Sequence, residues 1–158
     1  MRPLPDPASW VGRSPEETRS LGHRLGEQCR PGTLLALVGD LGAGKTQFAK
    51  GVASGLGIDP GGVTSPTFVL LNLYAGRFRL AHFDLYRLEN VDLPSLGFYD
   101  VREDGVVVLE WADKVDERLL GDHLRITFEH AGETSRRLMF QARGESSAEI
   151  LRAMNLSP

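Results

Sequence analysis

The chain has 158 residues, a length that fits one domain spanning 1–158. Hydrophobic residues make up 41% and charged residues 25%, an ordinary globular composition able to bury a core, which excludes the disordered and fibrous classes. The net charge is −3 and no basic stretch dominates, so strong direct binding of nucleic acid such as tRNA through phosphate contacts is not expected.

Cys29 is the single cysteine, which leaves no internal disulfide and makes a reducing cytoplasm the simplest setting. It reads as a small buried hydrophobe rather than a reactive thiol. No apolar run approaches the length of a membrane span, and the opening MRPLPDPASW lacks the apolar stretch of a secretory signal. No membrane association is expected.

Prolines at 3, 5 and 7 suggest an extended lead-in. Ser14-Pro15-Glu16-Glu17 then opens a helix: Ser14 suits the N-cap, Pro15 the first helical position, and Glu17 completes a capping box. Leu21, Leu25 and Cys29 fall on one face, and Pro31-Gly32 ends the element. Thr33 to Val38 is an apolar run of strand length. Thr46 to Leu56 carries apolar residues at helical spacing, with Gly57 as a stop signal. Asp59-Pro60-Gly61-Gly62 is a turn cluster. Val63 to Leu71 couples a hydroxyl-rich stretch to an apolar run, Gly76 marks a hairpin-like turn, and Arg79 to Leu85 reads as a strand. Val91 to Asp100 is a short helix or loop. Val106 to Leu109 is a strand buried on both faces. His123 to Phe128 and Arg137 to Ala142 form a hairpin, and Ser146 to Asn155 a closing helix. The fold class is therefore α/β: a mostly parallel central sheet flanked by helices, with an antiparallel C-terminal hairpin added at the edge.

Between the first buried strand and its helix stands GDLGAGKT, which matches the phosphate-loop template G-x-x-x-x-G-K-[ST] at every fixed position. Glycines at such a turn let backbone N–H groups converge on phosphate oxygens, and the following helix points its positive end at them. Gly39, Asp40, Leu41, Gly42, Ala43, Gly44, Lys45 and Thr46 are thus the expected nucleotide cradle. Lys45 would reach the β and γ phosphates, and the Thr46 hydroxyl would ligate Mg²⁺.

Hydrolysis needs carboxylates at the C-terminal ends of neighbouring strands, where ligands collect in such sheets. Glu110 directly follows the Val106–Leu109 strand and suits a metal-holding or water-orienting role. In His82-Phe83-Asp84-Leu85-Tyr86, alternation puts His82, Asp84 and Tyr86 on one face, a polar site wall with Asp84 as its acid; pairing of Asp84 with Arg87 is the structural alternative. His82 alone is weak evidence for catalysis. Thr64, Ser65 and Thr67 could respond to a γ-phosphate as a switch.

GDLGAGKT with FAKG, SPTF at 65–68, HFDLYRL at 82–88, LGFYD at 96–100 and EW at 110–111 together resemble the bacterial TsaE family, formerly YjeE, over most of the chain. The resemblance implies an ATPase needed to make threonylcarbamoyladenosine next to the anticodon of tRNA. It implies ATP and Mg²⁺ as ligands, slow hydrolysis alone, and TsaD and TsaB type proteins as partners. It further implies that Thr46 and Glu110 hold Mg²⁺, that Asp84 supports hydrolysis, and that Trp111 lies beside the site. Ser65 to Thr67 would be a nucleotide-sensing switch, Glu17 and Thr18 would pass near adenine, and Arg136 would approach the nucleotide. Gln47 and Ala112 depart from the residues common in that family, without touching a proposed ligand group.

Two other readings remain at this point. A small-molecule kinase would need an arginine-rich lid, yet residues 87 to 105 hold only Arg87 and Arg102. A GTP-dependent switch would carry N-K-x-D, which is absent, and Asp59 to Gly62 follows the loop helix too closely to serve as its second switch.

Overall fold

The computed structural model describes residues 2–40, 42–64 and 70–158. In chain order the elements are β1 (Ala8–Gly12), α1 (Pro15–Gln28), β2 (Leu34–Gly39), α2 (Lys45–Gly55), β3 (Leu71–Tyr74), β4 (Arg79–Asp84), α3 (Phe98–Glu103), β5 (Gly105–Glu110), β6 (Leu124–His130), β7 (Arg136–Ala142) and α4 (Glu145–Met154). The strands make one sheet in the order β1-β7-β6-β2-β5-β4-β3. β2 pairs in parallel with β5 and β6, and β4 with β5; the remaining pairings are antiparallel.

Side chains alternate across the sheet and so divide the core in two. Leu35 and Leu37, Val106 and Val108, and Leu80 face α1, α2 and α4. Leu34 and Ala36, Val107 and Leu109, and Ala81 and Phe83 face α3 with Leu93 and Leu120. Both faces of β2 and β5 are covered, which is why their sequences are continuous apolar runs. In β6 only Leu124, Ile126 and Phe128 are buried, and the intervening residues reach solvent. One covered face explains the alternating pattern there.

The hairpin of β6 and β7 lies where the sequence puts it, beside the parallel core. It is not the rim, however. β1 pairs with β7 over five residues and forms the outer strand, with Ser9 N–H donating to Ser157 O at 2.8 Å. The proline-rich lead-in hid this strand, because a short edge strand needs little apolar pattern of its own. The 91–100 region resolves into a 3₁₀ turn at Pro94–Leu96 followed by α3.

Helix α1 begins as read: Ser14 is the N-cap and its Oγ accepts from Glu17 N–H at 3.1 Å. The Glu17 carboxylate accepts from Arg13 N–H, one residue before the N-cap, rather than from Ser14 N–H, so the expected capping box is met only in its Ser14 half. At the other end Cys29 is buried, and burial pushes its thiol up to about 12, the state of an inert packing residue. The crossing of α1 and α2 depends on glycine for a steric reason. A Cβ on Gly51 would stand 2.1 Å from Arg19 O, and one on Gly26 would stand 2.3 Å from Val52 O. Backbone therefore packs directly on backbone, which brings the first turn of α1 against the loop that starts α2. Among the described residues no helix is long and apolar enough to cross a membrane.

Candidate phosphate-loop site

The predicted cradle stands between β2 and α2, at the carboxyl ends of the parallel strands. Gly39, Gly42 and Gly44 all take positive φ, at 151°, 78° and 103°. A side chain at Gly39 would also collide with Phe128 O, 2.7 Å from the ideal Cβ. Gly44 is the N-cap of α2 and has no side chain to cap the helix, so among the described residues no side chain accepts from the first-turn N–H groups. That is the arrangement an anion completes. Leu41 lies outside the described residues.

Lys45 is 4% exposed and its ammonium donates to Gly39 O and, at 3.1 Å, to Asp40 O. The same ammonium lies 4.0 Å from the centre of the Trp111 ring. Burial lowers the Lys45 pKa, and Glu110, Asp84, Asp113 and Asp40 oppose that shift. The two strand-end acids are thus electrostatic neighbours of the loop lysine.

Asp84 and Glu110 are level with each other in the β4–β5 register, and both are buried. Glu110 is also level with Leu37 of β2, so the central strand carries its acid between the loop strand and the Asp84 strand. β4 ends at Asp84, earlier than the sequence alternation implied. The Asp84 carboxylate accepts from Tyr86 N–H at 2.9 Å, a local bond that turns the chain out of the strand. Tyr86 lies past the end of the strand and packs against Trp111, with ring centres 5.0 Å apart. Trp111 itself sits at φ 60°, which turns the chain directly after Glu110 into the 3₁₀ turn Ala112–Lys114. Lys114 donates to Tyr86 O at 2.6 Å and Leu88 O at 2.9 Å and ties the two strand ends together.

On the other side of the loop, Thr18, Gly42, Gly44, Gln47 and Arg136 line a pocket of about 180 Å³. Arg136 donates from one terminal nitrogen to Gly42 O at 3.2 Å. Gln47 Oε1 accepts from Arg19 at 2.8 Å. Thr18 reaches the pocket, whereas the Glu17 carboxylate is engaged in the helix cap. Thr46 is half-buried in the first turn of α2. Thr64 is exposed, with its backbone N–H on Tyr74 Oη at 3.4 Å; Ser65 and Thr67 lie outside the described residues. No group of three or more His, Cys, Asp or Glu ready to hold a metal occurs among the described residues.

The fold and this site together match known proteins. A sequence model described as "Threonylcarbamoyl adenosine biosynthesis protein TsaE" matches residues 12–138. The chain belongs to the TsaE family. The family is one of tRNA threonylcarbamoyladenosine biosynthesis. The TsaE protein of Bacillus subtilis is 40% identical over 137 residues, covering 85% of each chain. That of Mycobacterium bovis is 39% identical over 142 residues, covering 83% of this chain and 84% of the relative. A crystal structure of Bacillus subtilis YdiB superposes with a TM-score of 0.80 at 32% identity, over 98% of this chain and 97% of that one. TsaE membership agrees with the resemblance carried by the loop, the H-x-D segment and Glu110-Trp111.

From the sequence His82 is a member of the polar wall but weak evidence for catalysis. The structure buries it completely and joins its Nε2 to Glu110 Oε2 at 2.5 Å. The signal was present in the alternation, which already put His82 on the Asp84 face.

Proposed function

We propose that this TsaE-family chain binds ATP in the Gly39–Thr46 loop with Mg²⁺ and hydrolyses it to ADP and phosphate, slowly when alone. The observation that carries this reading is the pair of buried acids, Asp84 and Glu110, side by side at the strand ends and electrostatically close to the loop lysine. Carboxylate oxygens at adjacent strand ends beside the phosphate loop are the hard donors that a divalent cation takes.

Each residue then has a part. Loop amides and the uncapped start of α2 hold the phosphates. Lys45 moves from the carbonyls of Gly39 and Asp40 to phosphate oxygens. Thr46 and Glu110 supply hard oxygen donors suited to Mg²⁺, which when bound neutralises charge on the phosphates. Asp84 orients the attacking water. Arg136 and Thr18 line the pocket beside the loop and contact the nucleotide body. Trp111 covers Lys45. Thr64, Ser65 and Thr67 serve as the switch that reports the γ-phosphate.

In this reading the ATPase powers or resets TsaD and TsaB type partners that modify tRNA adenosine next to the anticodon, in the cytoplasm. The net charge of −3 supports contact with tRNA through those partners rather than directly.

The test is ATP hydrolysis by the purified chain with and without TsaB and TsaD proteins. Low turnover alone and a marked change with the pair are expected. Lys45→Ala should weaken ATP binding about 10- to 100-fold, the loss of a charge-assisted bond. Asp84→Asn should bind ATP normally and hydrolyse it poorly. Unchanged ATP affinity in Lys45→Ala would remove the loop from the site, and full turnover in Asp84→Asn would remove that acid from the chemistry.

A further inference from the structure

We infer that His82 is a positioning residue that holds the Glu110 carboxylate in the orientation a divalent cation requires, an inference that rests on the metal role proposed for Glu110. His82 is 0% exposed and Glu110 3%, so both side chains are held inside the protein rather than in bulk solvent. A carboxylate accepts hydrogen bonds, so the ring hydrogen lies on Nε2 and donates to Oε2 across 2.5 Å.

The sheet register determines this contact. His82 is level with Val108, and Asp84 with Glu110. Residues 82 and 84 of β4 and residues 108 and 110 of β5 share one face. The imidazole therefore reaches diagonally, past Val108, to the acid at the end of the next strand. Asp84 stands level with that acid in the register, and among the described residues His82 is the side chain that hydrogen-bonds the Glu110 carboxylate.

The other ring nitrogen, His82 Nδ1, is buried and meets no hydrogen-bond partner among the described residues. A histidine serving only the core usually satisfies its buried polar atoms. Here one nitrogen goes unpaired while the other is kept on Glu110. Carboxylates that ligate metals are commonly oriented by such a second partner, whose loss weakens metal binding about 10- to 100-fold.

The test compares His82→Leu, His82→Gln and Glu110→Gln with wild type. Mn²⁺ binding to the ADP-loaded chain is read by electron paramagnetic resonance, and ADP binding without metal by calorimetry. In His82→Leu, Mn²⁺ affinity should fall about 10- to 100-fold while metal-free ADP binding stays at the wild-type value. Glutamine, which can still donate to Glu110, should recover part of the loss. Wild-type Mn²⁺ affinity in His82→Leu, with Glu110→Gln weakened, would overturn the role of His82 and leave that of Glu110 standing. Wild-type affinity in Glu110→Gln would overturn both. Should His82→Leu fail to fold, the wild-type chain gives the answer by nitrogen-15 NMR. The His82 Nε2 resonance should move when Mg²⁺ is added to the ADP-loaded chain, and a fixed resonance would overturn the inference.

Discussion

The Lys45 ammonium stands 4.0 Å from the centre of the Trp111 ring while it donates to the carbonyls of Gly39 and Asp40. Phosphate oxygens compete for the same ammonium, and a charged acceptor outbids neutral carbonyls. Adding ATP should therefore change Trp111 fluorescence as the cation leaves the ring. Trp10, the second tryptophan, lies on β1, so the measurement uses Trp10→Phe to isolate the signal. The Lys45→Ala variant should lose the change, and an equal response in that variant would separate Trp111 from the lysine.

Arg136 reaches across from β7 to Gly42 O at 3.2 Å and forms part of the pocket wall. Its replacement by alanine removes a cation beside the loop without touching α2. ATP affinity should drop about tenfold, the scale of one hydrogen bond from a charged donor, while thermal stability changes little. Calorimetric titration with ATP and a melting curve measure the two effects.

The backbone contact between α1 and α2 leaves no space for a methyl group. Gly51→Ala would drive its Cβ to 2.1 Å from Arg19 O, and that atom belongs to helix backbone. The helices must part, at a cost of about 1–3 kcal/mol typical of overpacking. Urea unfolding should register this loss. Because α1 also carries Thr18 to the pocket, ATP affinity should weaken in the same variant.

Asp122 caps α4 from a distance: its carboxylate accepts from Ser146 N–H at 2.8 Å and Ser147 N–H at 3.1 Å. Burial pushes its pKa up, but hydrogen bonds from Ser147 and Ser146 and the charge of Arg102 outweigh burial and leave it below the ordinary carboxylate value. A carboxyl depressed on folding adds stability above its unfolded pKa, ~3.9, and loses it as the pH falls through the folded value. Asp122→Ala should cost about 1 kcal/mol at neutral pH, as loss of a helix cap does. The gap from wild type should close below about pH 4, as read from denaturation curves across pH.

Local chemistry was legible in the sequence by itself. The phosphate loop, the N-cap at Ser14, the doubly buried strands β2 and β5 and the alternating hairpin β6–β7 each depend on residues close together in the chain, so spacing and residue type suffice. The placement of Glu110 at a strand end followed from the same reasoning. Tertiary structure alone decided the relations that cross elements. The strand β1 exists because β7 offers it an edge, not because its own residues alternate. The glycines of α1 and α2 acquire meaning only where the two helices touch. Asp84 ends its strand by a bond to Tyr86, and His82 meets Glu110 because β4 and β5 pair in one register rather than another. A register shift of one residue would send those side chains to the opposite face, and that choice is made by packing between strands far apart in the chain.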